Sequence, residues 1–135
     1  MTNSTITQEE MQVLLKAQQG EMDAVKMYLA LAKTVKNARD VRVFEQLAAE
    51  EGHHAAVFKA RTGKVVEAKN TKAVMLPLLY RLLGRKRVYP LIAKGEYDAV
   101  KKYEKIIERT PSIVNEYVQK IVVHAPDKSS GKRRQ

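Results

Sequence analysis

The chain has 135 residues, 44% of them apolar and 30% charged, which is enough for one domain with its own core. It contains no cysteine, so disulfides, zinc–thiolate sites and thiol catalysis are excluded within it, and no thiolate-held metal domain is expected. The formal net charge is +10, from 25 Lys+Arg against 15 Asp+Glu, and the location of that excess bears on any nucleic-acid reading.

Met1 to Gln8 is polar, with no basic lead into an apolar run, so no secretory signal is expected. A first helix is predicted from about Thr7 to Lys36. Its inward stripe is Met11, Leu14, Leu15, Gln18, Glu21, Met22, Val25, Tyr28, Leu29 and Ala32. Asn37 to Asp40 reads as a short turn with Asp40 as the next N-cap. The second helix then carries Val43, Phe44, Leu47, Ala48, Glu51, His54, Ala55 and Phe58, and Gly63 suits its end.

Lys64 to Pro90 is predicted to be a long connection holding a short apolar helix near Ala73 to Leu83. That stretch contains Pro77 and Arg81 and is too short to span a bilayer, so a cytoplasmic protein is expected. A third long helix presents Ile92, Glu96, Ala99, Val100, Tyr103, Ile106 and Ile107 on one face. Thr110 and Pro111 read as N-cap and first residue of a fourth, with Val114, Tyr117, Val118, Ile121 and His124 inward. Pro126 ends it. The domain is thus residues 1–126, followed by a basic tail at 127–135 expected to be disordered.

Two hairpins joined by one long crossover carrying a short extra helix define an all-α, ferritin-like four-helix bundle. The chain also repeats itself. Gly20-Glu-Met-Asp-Ala-Val-Lys-Met-Tyr28 recurs as Gly95-Glu-Tyr-Asp-Ala-Val-Lys-Lys-Tyr103, identical at seven of nine positions, as a duplicated helix pair would be. The excess charge sits apart from this frame. Arg81, Arg85, Lys86 and Arg87 form one cluster, and Lys128, Lys132, Arg133 and Arg134 mark the tail; without those eight the formal charge is +2. No aromatic residues interleave with the tail for base stacking, which argues against nucleic acid. Contact with anions or a membrane surface is the weaker reading of the same clusters.

The chemistry lies in where the acids fall. Leu14, Glu21 and Tyr28 are spaced by seven, which places Glu21 on the inward line. Glu51 and His54 sit three apart on the inward stripe of the second helix, whereas Glu50 and His53 fall off it. Glu96 precedes Val100 by one turn and Tyr103 by two. Three carboxylates and an imidazole therefore point at one core, with no lysine or arginine on these stripes to compensate them. A metal ion would, and oxygen-plus-imidazole ligation suits iron, then manganese.

With its Glu-x6-Tyr element twice and "EEGHHA" once, the chain resembles the iron domain of the rubrerythrin family from roughly Thr7 to Val123. The resemblance implies a non-haem iron site of one or two ions that reduces peroxide or dioxygen with electrons from an external donor. Glu21, Glu51, His54 and Glu96 would be ligands, and Tyr28 and Tyr103 would support the site by hydrogen bonding. Short chains of this kind often pair, so a homodimer is expected. The departure is in the fourth helix, where His124-Ala-Pro-Asp127 stands in place of a second Glu-x-x-His, with His124 as the remaining candidate ligand. Two other readings follow from that departure or set the metal aside. One is an iron-binding protein without turnover; the other is a metal-free helical module whose basic clusters bind an acidic partner.

Overall fold

The computed structural model describes residues 6–109, and among these it is all-α: four helices and no strand, in keeping with an all-α four-helix bundle. They are α1 (Gln8–Thr34), α2 (Ala38–Thr62), α3 (Thr71–Leu83) and α4 (Arg85–Arg109). The chain divides into two compact units after Val88, so α4 begins in the first and continues in the second. The fourth bundle helix expected from Thr110-Pro111, together with His124 and the basic tail, lies outside the described residues.

Local chemistry sets the ends of α1 and α2. Thr7 and Glu10 form a reciprocal capping box, each backbone N–H donating to the other's side chain at 3.1 Å. The α1–α2 connection is only Val35 to Asn37, and its cap is not the expected one. Asn37 Oδ1 accepts from the N–H groups of Arg39 and Asp40 at 2.8 and 3.2 Å. Asp40 falls instead in the first turn of α2, where its charge suits the helix N-terminus. Gly63 closes α2 in the left-handed conformation at φ 69, which costs a residue without Cβ nothing.

The two long helices are antiparallel, because Gln18 meets Thr62, Glu21 meets His54 and Tyr28 meets Phe44. Between them lie Leu14, Met27, Tyr28, Leu31, Ala32, Phe44, Ala48, Ala55 and Phe58, all buried. Each large side chain removed from water here contributes about 1.5–3 kcal/mol. Tyr28 stacks on Phe44 with ring centroids 5.9 Å apart. The buried stripe is rotated slightly from the predicted one. Met27 and Leu31 are buried, while Leu29 and Val43 are exposed. Leu29 and Leu31 stand some 200° apart on a helix, and packing selects the second.

Beyond Gly63 the crossover runs back along α1. Gln18 Nε2 donates to the Lys64 carbonyl at 2.9 Å and Gln19 Nε2 to the Glu67 carbonyl at 2.8 Å. The Lys69 N–H donates to Asp23 Oδ1 at 2.7 Å, and Lys26 Nζ to Asn70 Oδ1 at 2.9 Å. Partners thus advance together along both segments. The helix α3 then packs on α1 with Pro77 buried. The connection is shorter than expected, since α4 starts at Arg85, straight after Gly84, and continues through Pro90. Pro90 forfeits one backbone hydrogen bond near the helix start, a loss the remaining turns outweigh.

Candidate metal centre

The inward line of α1 carries a polar pair below its apolar half. Gln18 is buried and accepts from the Thr62 hydroxyl at 2.8 Å while donating to the Lys64 carbonyl, which joins the start of the crossover to the hairpin. One turn further on is Glu21, followed two turns later by the fully buried Tyr28. Opposite them, α2 presents Glu51 and His54 between Ala48 and Phe58. Gly52 leaves room beside this pair; a Cβ there would meet only Val25, at 3.9 Å.

Glu21, Glu51 and His54 converge and are respectively 5%, 6% and 8% exposed. His54 Nδ1 lies 3.5 Å from Glu21 Oε1 and 3.4 Å from Glu51 Oε1. One ligand atom from each residue falls within 4.8 Å of the others. These distances fit two uses of the cluster, a hydrogen-bonded His54–Glu51 contact and a shared metal ion. Ionic hydrogen bonds contract to about 2.7–2.9 Å. Two ligands each about 2.1 Å from a shared cation are held roughly 3.0–3.4 Å apart. The observed spacing is close to the second value, so the trio could hold a metal ion. Three protein ligands would leave further coordination positions for water or substrate.

The electrostatics agree. The two carboxylates, Glu21 before Glu51, hold the His54 imidazolium and push its pKa up to about 9, against the opposing effect of burial. Burial also raises Glu51, a shift that hydrogen bonding to His54 partly offsets. Both directions describe one condition: a buried pair of acids seeks positive charge, and in the metal-free protein a proton supplies it.

The sequence places Glu21, Glu51 and His54 on one core, and the structure brings these three together. Glu96 lies on α4 in the second unit and is half-buried. Tyr103 belongs to the same helix. His53 is exposed, as its position off the stripe implied, but Glu50 is only half-exposed. Asp23, which the repeat singled out without assigning it a task, anchors the crossover through Lys69 N–H and also accepts from Gln19 Nε2 at 2.8 Å. Nothing local marked that role, because its partner is 46 residues away. Its counterpart in the repeat, Asp98, pairs with Lys94 at 2.9 Å on an exposed face.

Among known proteins, a family described as a domain of unknown function (DUF4368) matches residues 97–135. No curated protein matches the chain. No solved structure matches it either.

Proposed function

We propose that the chain is a rubrerythrin-like non-haem iron protein that reduces peroxide or dioxygen with electrons from an external donor. The observation that carries this reading is the buried Glu21–Glu51–His54 trio, with two acids and an imidazole at ligand spacing. The antiparallel α1–α2 hairpin supports it, as does the repeat that gives Glu96 the same local sequence setting as Glu21.

In this reading Glu21 and Glu51 provide the negative charge and His54 the neutral nitrogen. Iron bound there supplies one-electron redox chemistry toward oxygen species. The protein's part is to exclude bulk water, fix the carboxylates and give up the His54 proton when the ion enters. Tyr28, buried two turns from Glu21, is placed to limit movement of that stretch of α1.

A second reading is iron binding without turnover. It is favoured by His124-Ala-Pro-Asp127, which stands where the resemblance would place a second Glu-x-x-His.

Metal per chain after aerobic and anaerobic purification, compared with Glu51→Ala, tests both readings. Iron bound by the parent and lost in the variant, with peroxide-dependent oxidation of a reductant, supports the first. Iron without turnover supports the second. No metal after reconstitution with ferrous iron rejects both.

A further inference from the structure

The segment from Ala68 to Val88 has a composition unlike the rest of the chain: six Lys or Arg residues and not one Asp or Glu. It contains α3, whose inward face is Ala73, Leu76, Pro77 and Tyr80, all half-buried or buried. Its outward face is apolar as well. Val74 is 66% exposed, Met75 44%, Leu78 52% and Leu82 70%. At about 100° per residue these four fall within an arc of roughly 100°, with Arg81 at its edge. A helix that merely faced solvent would carry polar residues there.

The charges beside this ridge are badly placed for the fold alone. Arg85, Lys86 and Arg87 fill the first turn of α4, which has no acidic residue. Cations at a helix N-terminus oppose its dipole. Half-buried Asp40 approaches exposed Arg85 at 3.6 Å, and no ion pair is found for Lys86 or Arg87 among the described residues. An anionic surface would relieve all three while the ridge left water.

We infer that α3 and the first turn of α4 form an interfacial docking surface for an anionic lipid bilayer. The ridge of Val74, Met75, Leu78 and Leu82 enters the headgroup–acyl boundary, and Arg81, Arg85, Lys86 and Arg87 contact lipid phosphates and carboxylates. Charge decides the occupant. A second copy would present the same acid-free cationic face across a two-fold axis and repel itself. Among the described residues no helix is long and apolar enough to cross a membrane, and the contact proposed here is peripheral.

The test is co-sedimentation of the full chain with phosphatidylcholine vesicles, alone or with roughly one-third phosphatidylserine, across a salt series. Binding is expected only with phosphatidylserine and is expected to weaken steeply with salt. Arg85→Gln/Lys86→Gln/Arg87→Gln should lower it on the order of a hundredfold. Leu78→Gln/Leu82→Gln should lower it about tenfold or more. Both variants change exposed side chains, and circular dichroism should show parental helix content. Four outcomes overturn the inference. One is absence of phosphatidylserine-dependent binding at low salt. Another is binding unchanged in the leucine variant, which would leave simple charge attraction. The third is binding that survives the arginine–lysine variant but is lost on Lys132→Gln/Arg133→Gln/Arg134→Gln, which would assign it to the tail. The last is a vesicle-free dimer that the leucine variant dissociates, which would make a second copy the occupant.

Discussion

Metal binding to the trio should release one proton and strengthen with pH over a window set by His54. In the metal-free protein the imidazole is held protonated up to about pH 9, chiefly by Glu21 and Glu51. A cation needs the neutral imidazole, so the proton must leave first. At pH 7 the group lies two pH units below its pKa, and only about one chain in a hundred offers a free nitrogen. Apparent affinity should therefore rise about tenfold per pH unit from 7 and level off above 9, a gain of roughly a hundredfold. Manganese(II) is the convenient probe because it resists oxidation, and free ion can be followed by electron paramagnetic resonance between pH 6.5 and 8.5. Calorimetry in buffers of different ionisation enthalpy counts the protons released, with one per ion expected. His54→Gln should bind more weakly and lose most of the pH dependence. Affinity that stays flat from pH 7 to 8.5 in the parent, or binding without proton release, would refute the argument that ion and proton compete for the same place.

Other consequences concern stability. The folded pKa of His54 is raised above its ordinary 6.5, so the native state binds this proton more tightly than the unfolded chain does. That stabilisation is complete below pH 6.5 and is lost as pH rises through about 9, on the order of 3 kcal/mol in all. Urea unfolding of metal-free protein at pH 6 and pH 9.5 measures it, and equal stabilities would contradict the assignment. Thr62→Val keeps the shape but leaves Gln18 Oε1 buried without the hydroxyl that donates to it. A cost of about 1–3 kcal/mol is expected in denaturant titration. Asp23→Ala removes the acceptor of Lys69 N–H and of Gln19 Nε2. Hydrogen exchange at Lys69 should accelerate with a global loss of only about 1 kcal/mol, whereas exchange unchanged at Lys69 would show that the crossover is held by other contacts.

The helices themselves were legible because helical phase is a local property. Glu21 could be placed inward from Leu14 and Tyr28 at spacings of seven, and Glu51 with His54 from their spacing of three; the structure joins these three. Gly63 announced the end of α2 for an equally local reason, since only a residue without Cβ adopts φ 69 at no cost. The all-α architecture followed from the same periodicity, reinforced by the scarcity of Gly and Pro.

What remained hidden depends on contacts between distant residues. Asn37 and Asp40 are both good N-caps, and the three-residue connection chose Asn37. Leu29 and Leu31 are equally apolar, and only docking against α2 decided which was buried. Pro90 looked like a boundary because proline costs a helical hydrogen bond, yet α4 accepts that loss within its second turn. Asp23 gained its task only when the crossover folded back along α1 and brought Lys69 N–H to it. The sequence by itself thus determined the all-α class and the common inward direction of Glu21, Glu51 and His54, because helical phase arises within a few residues of chain. Tertiary structure decided which cap, which leucine and which carboxylate is used, because burial and long-range hydrogen bonds exist only once the helices have packed.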